Sequence, residues 1–231
     1  MGTNTRDCRV ALLAVLFLTP FQPSLSHDRP TAAESTRDVL ARPFPGNATS
    51  YGSISDAFQS VMLQSGVPGG EAIIEGCGGG TDKVVPVRGT TVGRALESIE
   101  AADPRYRWEL EDGVVVLMPA EGVPPLLKVR VRGFNSMDSS DVSSAGMLLF
   151  GLPEVRDALG KLGLTRNGLG SGLYAVIPGS HGQARPLDID LHDVTVRDAL
   201  NAIVRTNKSG IWVYREVLCG TSKVFDLGFS H

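Results

Sequence analysis

Apolar positions along this chain switch between a period of two and a period near 3.6, and they do so in one recurring order. In residues 187–214 (LDIDLHDVTVRDALNAIVRTNKSGIWVY), Leu187, Ile189 and Leu191 alternate with Asp188, Asp190 and His192, which predicts a half-buried strand. Thr195 is placed to cap a helix whose Val196, Ala199, Leu200, Ile203 and Val204 share one face, with Val194 as a staple ahead of it. Ser209-Gly210 then turns the chain into a second strand over residues 211–214. Residues 84–110 (VVPVRGTTVGRALESIEAADPRYRWEL) have the same layout. Leu200 and Trp212 each stand 104 positions after Leu96 and Trp108 (200 − 96 and 212 − 108), so nothing is inserted between the two matches. The chain reads as an internal repeat.

The first unit is expected over residues 51–120. Ser53 or Ser55 caps a helix with Ile54, Ala57, Phe58, Val61 and Met62 on one face. Gly66 ends it, and Pro68-Gly69-Gly70 prevents its resumption. Residues 71–75 (EAIIE) form a short strand that closes in the glycine-rich turn 76–80. Val85 and Val87 alternate with Pro86 and Arg88, and the proline places that strand at a sheet edge. Thr90 or Thr91 caps a second helix with Val92, Ala95, Leu96 and Ile99 inward, stopped by Asp103-Pro104. Tyr106, Trp108 and Leu110 alternate with Arg107 and Glu109. Glu111-Asp112-Gly113 is a hairpin signal, and residues 114–118 are apolar on both faces, as in a central strand.

Residues 121–150 are expected to be a linker with one strand, 126–132 (LLKVRVR), whose Lys128, Arg130 and Arg132 make one basic face. That face is either solvated or a contact for an anion or partner. Residues 135–145 are polar and predict a loop. The second, divergent unit spans 151–231. A helix over 154–162 has Val155, Ala158, Leu159 and Leu162 inward and ends at Gly163. A turn over 168–172, a strand over 173–177 and a polar loop over 178–186 precede the opening stretch, and a hairpin loop at 216–222 and a strand at 223–229 follow it. The fold class is α+β: two small repeated units, each two helices packed on a small mixed sheet. Either unit alone buries limited surface, so packing of one against the other would stabilise both.

The N-terminus adds an address. Arg6 and Arg9 precede an apolar run at 10–18, and Ser24-Leu25-Ser26 follows, which is the layout of a secretory signal peptide over residues 1–26. The run is too short to span a bilayer comfortably, so no membrane span is expected after cleavage. Residues 27–50, rich in Pro, Ser, Thr and Arg, are expected to be a flexible leader. Cleavage removes Cys8 and leaves Cys77 and Cys219, which an exported chain can join in one disulfide. The net charge of −3 for the whole chain, with no basic patch, argues against nucleic acid as a partner.

Candidate chemistry is sparse. His27, His181, His192 and His231 have no metal-pair spacing, and the cysteines are too far apart for a C-x-x-C site. Gly168-Leu169-Gly170-Ser171-Gly172 precedes a strand instead of a helix N-terminus and lacks the lysine of a phosphate loop. Alternation puts Asp188 and Asp190 on a solvated strand face, and His192 beside Asp193 reads as a surface turn. No catalytic, cofactor or metal residues are assigned. Trp108 and Trp212, with Tyr106 and Tyr214 on the same side of their strands, are the aromatics placed either to pack beneath a helix or to stack on a ligand.

Taken together, these features resemble the secretin and TonB short N-terminal domain. The similar residues are Ala57-Phe58 on the first helix, Gly66-Val67 after it, residues 85–89, Ala95-Leu96 and Ile99 on the second helix, Tyr106-Arg107-Trp108, and the strand 114–118. The second unit resembles the family more loosely, through residues 194–214. The resemblance implies a non-catalytic periplasmic module that contacts an envelope protein. No pore or barrel pattern follows the second unit, so the family's transport role is not carried over, and no family functional residue maps here. The expected function is therefore a non-enzymatic exported binding or assembly module of the bacterial envelope, periplasmic or secreted. It would bind a protein partner through sheet edges, with residues 84–88 and 223–229 as the edge candidates. Two other readings are an exported hydrolase assembled only in three dimensions around His181 or His192, and a homo-oligomeric ring-forming structural protein.

Overall fold

The computed structural model describes residues 36–46, 49–78, 83–137, 139, 141–166 and 187–230. The expected signal peptide, the turn at 168–172, the strand at 173–177, the loop at 178–186, and His27, His181 and His231 lie outside the described residues. In chain order the elements are α1 (Thr36–Ala41), β1 (Thr49–Tyr51), α2 (Ile54–Ser65), β2 (Gly69–Gly76), β3 (Val85–Val87), α3 (Val92–Ala102), β4 (Tyr106–Glu111) and β5 (Val114–Pro119). A 3-10 turn (Pro125–Lys128) then leads to β6 (Arg130–Asn135), α4 (Val142–Gly151), α5 (Pro153–Leu162), β7 (Thr165–Arg166), β8 (Asp190–Thr195), α6 (Val196–Asn207), β9 (Ile211–Cys219) and β10 (Ser222–Ser230).

Local chemistry sets many of these boundaries. Ser53, Thr91, Asp141 and Thr195 each accept a hydrogen bond from a backbone N–H in the first turn of the helix they precede. Thr195 and Asp198 form a reciprocal capping box on α6. Gly66 and Gly163 end α2 and α5 in the left-handed conformation. Asp112 and Gly113 both have positive φ (47° and 81°), as a two-residue hairpin turn between β4 and β5 requires.

The class is α+β. Six strands form one mixed sheet in the order β4-β5-β2-β9-β10-β7, with β1-β3 and β6-β8 as separate two-stranded ribbons. Two sheets were expected, one per unit. Instead β2 runs parallel to β5 on one side and to β9 on the other, joining the halves from Gly69↔Ile211 to Gly76↔Leu218. The same order of pairings occurs twice. β1 pairs β3 as β6 pairs β8, β4 and β5 form a hairpin as do β9 and β10, and β2 runs parallel to β5 as β7 does to β10.

Because strand side chains alternate, the one sheet serves two cores. Val115, Leu117, Ile73, Ile211 and Val213 pack with α2 and α3 on one face. Val114, Val116, Met118, Ala72, Trp212, Tyr214, Phe225, Leu227 and Phe229 pack with α4 to α6 on the other. The helices of the two halves thus cover opposite faces of a shared sheet.

Several expectations are corrected. The leader at 27–50 is not wholly extended outside the fold: α1 lies there, with Val39 and Phe44 buried, and Val92 N–H donates to the Arg42 carbonyl at 3.0 Å. Residues 126–128 form a 3-10 turn because Pro124 and Pro125 preset its start, and both Leu126 and Leu127 are buried. The loop predicted at 135–145 gives way at Val142 to α4, whose polar Ser143 and Ser144 hide a buried face of Val142, Ala145, Gly146 and Leu149. Residues 84–88 do not form an edge of the main sheet, since β3 pairs only with β1 among the described strands. Residues 223–229 belong to β10, whose outer side pairs with β7 only at Val224 and Phe225, so this expectation is corrected at those two residues, and no described strand meets the outer side of 226–229.

Candidate functional site

The strand at one end of the sheet is β4, and no described strand pairs with its outer side. Hydrogen-bonded pairs alternate along an antiparallel ladder. Ala120 N–H donates to the Arg105 carbonyl at 2.7 Å, and the register carries that phase to Arg107↔Met118 and Glu109↔Val116. Arg107 and Glu109 therefore turn their backbone groups toward β5, whereas Trp108 and Leu110 turn theirs outward. On the α3 side of β4, Tyr106 is buried and Trp108 and Leu110 are half-buried against the core. On the opposite side stand exposed Arg107 and half-buried Glu109, 3.6 Å apart.

The position equivalent to β4 in the second half is β9, and its corresponding edge is occupied by β2. The two tryptophans differ accordingly. Trp212 is fully buried, and its Nε1–H donates to Asn201 Oδ1 at 2.8 Å. Asn201 Nδ2 in turn donates to Glu111 Oε2 at 3.2 Å, and Arg197 approaches Glu111 Oε1 at 3.0 Å. Burial raises the Glu111 carboxyl against the pull of Arg197. Trp108 Nε1 is buried without a partner. The equivalent of Asn201 is Glu97, which accepts from Arg94 at 2.7 Å.

A polar cleft of about 490 Å³ opens where the N-terminal turn of α2 meets the outer half of β2, with Ser55, Glu75, Lys83, Arg105, Tyr106 and Arg215 among its walls. Behind Ser55 lies Glu71, which is fully buried. Glu71 Oε1 accepts from the Ser55 hydroxyl and from Gln59 Nε2 (2.8 Å), while Oε2 has no partner. Burial pushes this carboxyl up to about 7, and the hydrogen bonds from Ser55 and Gln59 and the charge of Arg215 pull it back. The geometry suits a neutral acid, with Oε1 as the doubly bonded acceptor. Arg215 faces Glu75 at 3.8 Å, and its Nε has no hydrogen-bond partner. At the far wall, Asp103 is held below the usual carboxylate range by the hydrogen bonds from Arg105 (2.6 Å and 2.8 Å). Glu71 can bind and release a proton, but none of its surface reaches the cleft.

The residues singled out in the sequence are dispersed. Tyr214 and Trp212 are fully buried beside α6, and the Tyr214 hydroxyl donates to Glu216. Tyr106 donates to the Ile74 carbonyl at 3.3 Å. The aromatics therefore lie on opposite sheet faces and do not form one cluster. Cys77 and Cys219 are disulfide-bonded, with Cα atoms 4.7 Å apart, one step beyond the Gly76↔Leu218 pair. His192 is exposed and lies 3.6 Å from Asp190. Of the basic face, Arg130 pairs with Asp193 at 2.7 Å and Arg132 with Glu154 at 2.7 Å, so these charges are met within the chain. Among the described residues, no three of His, Cys, Asp and Glu stand together to hold a metal ion. No described helix is long and apolar enough to cross a membrane.

Sequence reasoning missed the β4 edge, Glu71 and Asn201. Only Glu71 carried a signal: in EAIIE it shares the alternation of Ile73, and Ser55 and Gln59 stand one turn apart on the facing helix. The chain matches no family model, no curated protein and no solved structure.

Proposed function

We propose that this protein is a non-enzymatic, exported binding or assembly module of the bacterial cell envelope that engages a protein partner by strand addition at a sheet edge. The observation that carries this reading is β4, whose Trp108 and Leu110 turn backbone donors and acceptors away from the sheet with no described strand to meet them. An unpaired edge of this kind is a template for an incoming strand. The disulfide between Cys77 and Cys219 suits an oxidising compartment, in keeping with the secretory leader expected at residues 1–26. The order of elements in each half agrees with the resemblance to the secretin and TonB short N-terminal domain, and that resemblance supports a periplasmic address.

The test is capture from envelope extract with residues 27–231 as bait, beside the same bait carrying Leu110→Pro. The outward N–H of Leu110 makes no ladder bond, so proline there blocks an added strand and leaves β4 paired with β5. A protein retained by the parent bait and lost from the variant supports the reading; it includes the chain itself if copies associate. Equal retention by both baits, or no retention together with turnover of a substrate, contradicts it.

A further inference from the structure

The internal joint between the halves specifies what β4 accepts. β9 occupies in the second half the place β4 occupies in the first, and β2 lies against it in parallel over its whole length. Gly69 N–H donates to the Gly210 carbonyl at 3.0 Å to begin that ladder. Gly70 pairs with Trp212, and the indole lies across it: a Cβ on residue 70 would come within 2.0 Å of Trp212 Cε2 and 2.4 Å of Cζ2. Ala72, the next residue on that face, pairs with Tyr214. The strand that meets this edge thus carries small residues opposite the aromatics.

The chain uses this edge once and leaves its equivalent on β4 without a described partner. Trp108 stands where Trp212 stands, with Leu110 in the place of Tyr214. The other side of the edge differs in charge. Ile211 and Val213 correspond to Arg107 and Glu109, so the strand received by β4 faces an acidic residue where Glu71 faces Val213.

We infer that β4 is the acceptor for an extended segment of a partner protein, running parallel to β4, with glycine or alanine opposite Trp108 and Leu110 and a basic residue opposite Glu109. The inference rests on the binding-module reading above and gives its partner a direction and a chemistry. Register follows from the internal joint: the small residue beside Trp108 takes the place Gly70 takes beside Trp212. Main-chain hydrogen bonds supply affinity, and the alternation of small and basic residues supplies selectivity.

The experiment uses the full chain and a synthetic peptide, Gly-Gly-Lys-Ala-Ile-Ile-Lys-Gly, which copies β2 with its two glutamates replaced by lysine. Binding is followed by backbone amide shifts in a nuclear magnetic resonance titration. Three further peptides carry valine at the second glycine, N-methyl groups on the amides that would face β4, or the two glutamates restored. Shifts centred on residues 106–111 are expected, with at least about tenfold weaker binding for each altered peptide. A spin label on the peptide N-terminus is expected to broaden signals near Tyr106 and spare those near Glu111. Equal binding of all four peptides, broadening near Glu111, or no binding by any of them overturns the inference. The last result is distinguishable from failure of the module reading, because a partner that adds to β4 with another sequence or direction would still be retained by the parent bait and lost from the Leu110→Pro bait.

Discussion

Gly70 lies directly beneath the indole of Trp212, so close that residue 70 has no room for a side chain. Position 70 sits on β2, in the first half, and Trp212 on β9, in the second. The contact is therefore part of the seam that turns two small sheets into one. The indole cannot swing aside freely, since its Nε1–H is tied to Asn201. Gly70→Ala is expected to destabilise the fold by about 1–3 kcal/mol through overpacking, and Gly70→Val by more. Urea unfolding of the variants checks this, with Gly228→Ala as the comparison, because a Cβ there meets nothing within 4 Å.

Glu71 makes the fold pH-dependent. Its carboxyl titrates near 7 in the folded chain against 4.5 for the ordinary group, so between these values the folded state holds the extra proton. The Glu71 contribution to stability is then greatest below about pH 4.5 and is lost as pH rises through 7, about 3 kcal/mol at most. Glu71→Gln keeps an acceptor for Ser55 and Gln59 and carries no charge. The substitution is expected to raise the melting temperature at pH 8 and to flatten its decline between pH 5 and 7. Melting curves across that range read both effects, and a parallel pH profile for the two proteins contradicts the assignment.

The disulfide closes a loop with a sequence separation of 142 residues and ties together the ends of β2 and β9. In the chain-entropy picture a loop of that length stabilises by about 5 kcal/mol, and measured values for native bridges fall near 2–5 kcal/mol. Both cysteines are exposed, so a mild reductant reaches them in the folded state. Cys77→Ser with Cys219→Ser is expected to lower stability by that amount. The loss of hydrogen-exchange protection is expected to be greatest at the β2–β9 seam and least in the β4–β5 hairpin.

What the sequence made legible was local. The Thr195 cap, the Gly66 and Gly163 stops and the Asp112-Gly113 turn each depend on a few adjacent residues, and each stands where the periodicity put it. The apolar run at 114–118 marked a central strand because β5 is buried on both faces. The joining of the halves was not legible. A parallel pair leaves no turn between its strands, and β2 and β9 are far apart in sequence. Gly69-Gly70 read as a helix stop, although their lack of side chains serves Trp212. α4 was hidden by the polar first turn after Asp141, and the β4 edge by its own alternation, which shows the faces of a strand but not whether its rim is paired. Glu71 looked like a strand end, since its burial depends on Ser55 and Gln59 of a different element.

The central claim is that β4 offers a free rim to another chain, and amide hydrogen exchange at Trp108 and Leu110 in the full chain measures it most directly. Their N–H groups are predicted to exchange far faster than those of Arg107 and Glu109, which bond to β5, and to become protected when the lysine-substituted β2 peptide is added. Equal protection of all four amides in the free chain would mean that the rim is already covered, and would contradict the account.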